Sequence, residues 1–295
     1  MKIAVTGSTG TVGSQVVGLL AASAGNEVVA LARRPEAVAA ALGARGPDAR
    51  VPDAQSPVTA VYADYDDLAS LRAALVGVDT LVFVSGDGEA ARMLVQHGNV
   101  VRAAADSGVG HVVYLSGVDA DLASPFCYAF TNGYTEGLLA ASGCGFSFAR
   151  ASLFTEFFAA FLRPALVSGE LRVPAGDGRV SPVSRADVGR CLAALAVLPP
   201  SGRHHDLTGP RALSLEGVAE ELTRVAGRPV RYTDVEPRVL VEDLARDGED
   251  PWWTYAYGSM FASVRQDRWS AVSTEVRRLT GRVPLGVADV VGLVA

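Results

Sequence analysis

Short apolar, β-branched runs recur through the first half of the chain and alternate with longer stretches rich in Ala and Leu. The runs are KIAVTG, EVVALA, VTAVYA, DTLVFVS, HVVYLS and GFSFAR. A short run that stays apolar without alternating predicts a strand buried on both faces, and the helical patterns between runs predict the crossovers that cover those faces. Because such crossovers are right-handed, the repeat predicts a doubly wound parallel sheet. After Arg150 the alternation loosens. SLFTEFFAAFLRPALVSG, RADVGRCLAALAVL and LSLEGVAEELTRVAG read as helices, with HHDLTG and PVRYTDV as short strands. The expected organisation is a nucleotide-type α/β domain over residues 1–150 and a smaller α+β lobe over residues 151–295, interleaved with the first in space. The aperiodic stretch ARGPDARVPDAQSP, Ala44 to Pro57, reads as an exposed loop without chemistry.

Composition narrows the function class. Of 295 residues, 49% are hydrophobic and 20% charged, enough to bury a sizeable core. A formal net charge of -6, with no Lys/Arg run longer than those in ARRP and EVRRL, argues against a nucleic-acid partner. The three cysteines, Cys127, Cys144 and Cys191, are odd in number and widely spaced, as expected of free thiols in a reducing compartment. Met1 leads directly into KIAVTG without a signal-peptide pattern, and no apolar run approaches membrane-spanning length. A cytoplasmic location, with no membrane association, is therefore expected. His97 in QHGNVV reads as a surface helical residue, and the adjacent His204 and His205 point to opposite faces of a strand. No metal site is expected.

The strongest chemical signal is TGSTGTVG, which follows the first strand and opens the first helix. Gly7, Gly10 and Gly13 permit a tight turn and close backbone approach to a pyrophosphate, which then rests on the free N–H groups at the positive end of the helix. Thr9, Thr11 and Val12 complete this cradle. The motif and its place in the first βα turn predict a Rossmann-type dinucleotide site. An NAD site commonly places a carboxylate at the end of the second strand; here EVVALA ends in Arg33 and Arg34, whose forked donors suit a 2′-phosphate. NADP(H) is expected over NAD(H), against the reading that both arginines are merely solvated. Asp64 and Tyr65 are placed at the adenine edge, Val84 and Ser85 against the cofactor where the fourth strand ends, and Asp66 or Asp67 at a helix N-cap.

TGSTGTVG, LARRP, ADYDD, QHGNVVRAA, VVYLSG, YTEGLLAASG and SRADVGRCLAAL occur together in this order. As a set they resemble the NmrA-like, atypical branch of the short-chain dehydrogenase/reductases, and within it the bacterial NAD(P)H:quinone oxidoreductases. The resemblance covers Lys2 to about Gly227. It implies a serine on the fifth strand and a Tyr-x-x-x-Lys pair on the next helix, which map onto Ser116 and Tyr128, but Asn132 stands where the lysine would be. The superfamily's lysine lowers the phenol pKa and holds the nicotinamide ribose; Asn132 can bind a ribose hydroxyl but carries no charge. Tyr128 is thus expected to stay protonated, as a donor in reduction and not a base for oxidation. The competing reading is a tyrosine packed in an aromatic core, with Ser116 as a simple cap. A second departure is Glu156-Phe157, where relatives often read Glu-Asn.

Ligands of open α/β sheets lie beyond the carboxyl ends of the strands, which nominates Gly86, Val118 and Phe154 for substrate contact. DPWWTYAYGSMF adds Trp252 and Trp253, with Tyr255 and Tyr257, as a cap for a flat apolar substrate; helix packing or a homodimer face are the alternatives. Asp187 reads as part of a helix N-terminus. The expected function is an NADPH-dependent reductase acting on a quinone or other conjugated carbonyl compound. A non-catalytic redox sensor of the NmrA type and a natural-product tailoring reductase are the alternatives.

Overall fold

The computed structural model describes residues 1–42, 54–86 and 88–294, so most of the stretch expected as a loop after Ala44 lies outside the described residues. The elements follow in order: β1 (Lys2–Val5), α1 (Thr11–Ala21), β2 (Glu27–Ala32), α2 (Glu36–Ala41), β3 (Val58–Tyr62), α3 (Leu68–Ala74), β4 (Thr80–Phe83), α4 (Ala90–Asp106), β5 (His111–Gly117), α5 (Cys127–Ala141) and β6 (Gly145–Ala151). Then come α6 (Thr155–Ser168), β7 (Glu170–Val173), β8 (Arg179–Val180), α7 (Arg185–Ala196), β9 (His204–Leu207), β10 (Leu213–Ser214), α8 (Leu215–Ala226) and β11 (Arg231–Asp234). Three more helices precede α12 (Val287–Val294): α9 (Pro237–Arg246), α10 (Pro251–Arg265) and α11 (Glu275–Thr280).

The main sheet has seven strands in the order β3-β2-β1-β4-β5-β6-β9, with parallel pairing through β3, β2, β1, β4 and β5. All six apolar runs of the first half belong to it, as β1 to β6, whereas the PVRYTDV strand, β11, pairs with β7 in a separate sheet. The seventh, β9, comes from the HHDLTG segment. The order reverses direction between β1 and β4, the switch point at which doubly wound sheets open a ligand crevice. The chain divides into two units: residues 1–116, 134–149 and 188–205, and residues 117–133, 150–187 and 206–295.

The first unit's core is built on strands that are apolar on both faces. Ile3, Ala4, Val5, Leu81, Val82, Phe83 and Val112 have no exposed surface, and each large side chain so buried contributes ~1.5–3 kcal/mol. In the second unit, β11 lies parallel to β7, and Phe158, Leu162, Val218, Leu222 and Phe261 form a separate apolar cluster. Among the described residues no helix is long and apolar enough to cross a membrane.

His97 departs from its expected surface position: it is fully buried. It shares α4's inward stripe with Met93, Val100, Val101 and Ala104, at helical spacing, so position overrides polarity. Its Nδ1 lies 2.8 Å from Thr135 Oγ1, and its ring packs on Phe83 at 5.0 Å. His111 is likewise buried, with Nε2 2.9 Å from Ser147 Oγ. Burial lowers both pKa values to about 4 from an ordinary 6.5. The unfolded chain therefore takes up these protons first on acidification. Stability from the neutral rings is complete above about pH 6.5 and is lost as pH falls toward 4. Denaturation at pH 7 and pH 5 should differ by on the order of 1–2 kcal/mol per histidine, and His97→Gln should shrink the difference. An unchanged pH dependence in that variant would contradict the assignment.

Candidate functional site

The glycine loop begins where β1 ends. Gly7 takes a left-handed φ of 60°, and its carbonyl accepts the Gly10 N–H at 2.9 Å, closing the turn before α1. A Cβ on Gly13 would lie 2.1 Å from Gly7 O, so α1 packs on the loop more closely than any side chain allows. Ser8 Oγ donates to Leu31 O at 2.8 Å and fastens the loop to β2. Gly10 caps α1 without a side-chain hydrogen bond, and α1 has no acidic residue in its first turn. The positive end of the helix is thus left for an anion. These features fit a dinucleotide pyrophosphate, which Gly7 to Gly13 would hold.

A cleft of about 590 Å³ opens beside this loop, beyond β1, β2 and β4. Of the residues expected at the cofactor, Gly7, Thr9, Arg33, Asp64, Tyr65 and Ser85 line it, as does Gly86, which was expected at the substrate. Gly10, Thr11, Val12 and Gly13 form the turn and first helical turn behind that wall. Arg34 and Val84 are not among the lining residues. The Val84 carbonyl instead accepts the Tyr65 hydroxyl at 2.6 Å, and the Val84 N–H donates to Thr6 Oγ1 at 2.9 Å. Tyr65 thereby braces the cleft floor with its ring, its hydroxyl proton already used.

Charge is unevenly distributed at the end of β2. Among the described residues, neither Arg33 nor Arg34 carries an ion pair, and β2 ends without a carboxylate. Asp67 is the N-cap of α3, accepting the N–H groups of Ala69 and Ser70 at 3.0 and 3.1 Å. Asp66 turns to Arg92, at 2.5 Å, and to Gln96; the Arg92 hydrogen bond is the main force holding its carboxyl below the ordinary range. Arg92 and Gln96 both line the cleft and went unread in the sequence. The available signal was their i, i+4 spacing at the start of the helix that follows the switch-point strand.

In the second unit, Tyr128 lies in the first turn of α5, half-buried among aromatic rings. Its ring is 5.5 Å from Phe126, edge-on, and 6.4 Å from each of Trp252 and Trp253. Trp253 stacks on Tyr257 at 5.8 Å, and Tyr257 meets Phe157 and Phe161. DPWWTYAYGSMF is therefore the amphipathic start of α10, and Tyr128 belongs to its cluster. Val118 packs against the second unit's core, whereas Phe154 caps α6 beneath the Arg185 guanidinium at 5.2 Å. Asn132 crowds the end of β5: a Cβ on Gly117 would lie 3.0 Å from its Nδ2.

Two further carboxylates, Glu136 and Glu156, are committed. Ser116 Oγ donates to Glu136 Oε1 at 2.6 Å, both residues buried, so the serine's one proton is occupied. Both Glu156 oxygens accept the Arg185 N–H at 3.0 Å and cap α7, while the adjacent Phe157 joins the aromatic cluster. Ser184 Oγ caps the same helix, accepting the Asp187 N–H at 3.0 Å and donating to Asp187 Oδ2 at 2.6 Å.

The model of the NmrA-like family matches residues 1–250. Quinone oxidoreductase 2 of Escherichia coli (strain K12) is 34% identical over 235 residues, covering 79% of this chain and 77% of that protein. NAD(P)H azoreductase of Xenophilus azovorans is 30% identical over 282 residues, covering 95% and 93%. The crystal structure of the NADPH-dependent quinone oxidoreductase from Escherichia coli complexed with NADPH superposes with a TM-score of 0.87 at 28% identity, covering 99% of each chain. The loop, the switch-point cleft and the matched sequence agree: this chain belongs to the NmrA-like family.

Proposed function

We propose that this chain, an NAD(P)H-dependent oxidoreductase, uses NADPH to reduce a quinone or another conjugated carbonyl compound. The observation that carries the choice of NADPH is the end of β2, where Arg33 lines the cleft without an ion-pair partner among the described residues and no carboxylate follows. The relatives named for quinone and azo reduction support a conjugated acceptor. When bound, the dihydronicotinamide supplies a hydride. This chain's residues hold the diphosphate on the loop from Gly7 to Gly13, fix the adenosine phosphate with Arg33, and exclude water from the acceptor with aromatic rings.

Tyr128 donates the proton that accompanies hydride addition to the acceptor. Tyr128 offers a phenol O–H, and Asn132 adds no charge beside it, whereas the Ser116 hydroxyl is already hydrogen-bonded to Glu136 and is the weaker donor of the two. Trp252 and Trp253 cover the flat face of the acceptor. Tyr128→Phe should lower kcat roughly tenfold, less than the hundredfold or more typical of a lost general acid, because a quinone is intrinsically reactive. Trp253→Ala should raise KM for a naphthoquinone by about tenfold and leave NADPH affinity unchanged. Wild-type kinetics in both variants would remove the second unit's aromatic residues from the site. The sensor reading draws on Asn132 alone and requires cofactor binding without acceptor-dependent oxidation.

A further inference from the structure

We propose that Arg268 is a positioning residue for the reduction, clamping the segment between β5 and α5 so that Tyr128 is presented to the acceptor; this rests on Tyr128 acting there as proton donor. The segment runs from Val118 to Phe126 and leads directly into Tyr128. Its anchor is Asp119, a carboxylate whose side chain is only 3% exposed. Arg268 Nε donates to Asp119 Oδ1 at 2.5 Å, and Ser124 and Ser263 hydroxyls both donate to Oδ2. The other arm of the Arg268 guanidinium reaches Asp121. One side chain near the end of the chain therefore holds two carboxylates of the segment in the forked geometry that arginine alone supplies.

The neighbouring residues extend the clamp to the phenol. Trp269 Nε1 donates to Ser263 Oγ at 2.6 Å, and the indole packs 5.5 Å from Phe126, which meets Tyr128 edge-on at 5.5 Å. Cys127 N donates to Ser259 Oγ at 3.4 Å. The turn that brings Arg268 and Trp269 to this place has a left-handed residue: Asp267, at φ 57°, is the one non-glycine residue with positive φ among those described. Its side chain accepts the Arg179 N–H at 3.1 Å and the Ser270 hydroxyl at 2.9 Å, which sustains the conformation.

Without the guanidinium, the buried Asp119 carboxyl would be left with only hydroxyl donors, and the segment would move to hydrate it. The loss should appear in the chemical step through Tyr128. The experiment is a double-mutant cycle of Arg268→Met and Tyr128→Phe, reading kcat and KM for a quinone at saturating NADPH, with NADPH affinity titrated separately. The expected result is a kcat loss of roughly tenfold for Arg268→Met alone, shrinking to less than about twofold in the Tyr128→Phe background, with NADPH affinity unchanged. Arg268→Lys keeps a cation beside Asp119 but cannot fork to Asp121 as well, so it should lose kcat partway, by roughly threefold; if the methionine variant does not fold, the lysine variant carries the same cycle with this smaller loss. Equal fold-losses in both backgrounds, or weakened NADPH binding in step with kcat, would overturn the role of Arg268 alone. No effect of Tyr128→Phe by itself would remove the tyrosine's role and this proposal with it.

Discussion

Gly13→Ala is expected to abolish measurable NADPH binding, weakening it by more than about a hundredfold. The new Cβ would sit 2.1 Å from Gly7 O and 2.6 Å from Gly7 C, both backbone atoms. Neither can yield cheaply. Gly7 already occupies a left-handed conformation, the Gly10 N–H holds its carbonyl, and Ser8 ties the next residue to β2. The start of α1 must therefore swing away, at a cost of about 1–3 kcal/mol in stability, and the N–H groups that receive the diphosphate leave with it. Gly18→Ala supplies the control: in the same helix, its Cβ meets nothing within 4 Å, so it should stabilise by ~1 kcal/mol and leave cofactor binding intact. Fluorescence titration with NADPH and thermal unfolding measure both. Normal binding by Gly13→Ala would remove the loop from the cofactor site.

Arg33→Glu is expected to reverse cofactor preference. A guanidinium hydrogen-bonded to a phosphate contributes about 1.5–3 kcal/mol. Its loss, with a carboxylate placed against the phosphate, should weaken NADPH by roughly thirty- to a hundredfold. NADH, with hydroxyls in place of that phosphate, should bind equally well or better, because a carboxylate at this position accepts from the ribose. Arg34→Ala should change the NADPH-to-NADH ratio less than about threefold, since Arg34 does not line the cleft. Equal losses for both cofactors in Arg33→Glu would mean that Arg33 does not read the 2′-phosphate.

Much of this was legible in the sequence because it depends on local pattern. The six apolar runs specified the strands of the sheet, and TGSTGTVG specified a backbone shape that only glycines at Gly7 and Gly13 satisfy. Asp187's place at a helix N-terminus is readable for the same reason: its capping partner Ser184 is three residues away. What the sequence withheld was nonlocal. HHDLTG read as a strand, but four residues do not say which sheet they join, and β9 completes the main one. His97 is polar and reads as a surface residue, but it falls on the stripe of α4 that faces the core.

The same limit applied to the site. Arg92 has no visible meaning without Asp66, its ion-pair partner 26 residues earlier. The hydrogen bond that Ser116 donates to Glu136 crosses twenty residues of chain and has no local signal. Arg268 and Asp119, paired across 149 residues of chain, have no sequence signature at all.

The most direct test of the central claim is substrate-dependent oxidation of NADPH by the purified protein. The cofactor's absorbance would be followed against a panel of benzoquinones, naphthoquinones and conjugated enones, with product formation quantified in parallel. The account predicts catalytic turnover with at least one quinone, one reduced product for each NADPH consumed, and a slower rate with NADH. Tight NADPH binding with no oxidation across the panel would contradict it, and would identify the chain as a nicotinamide-binding regulator.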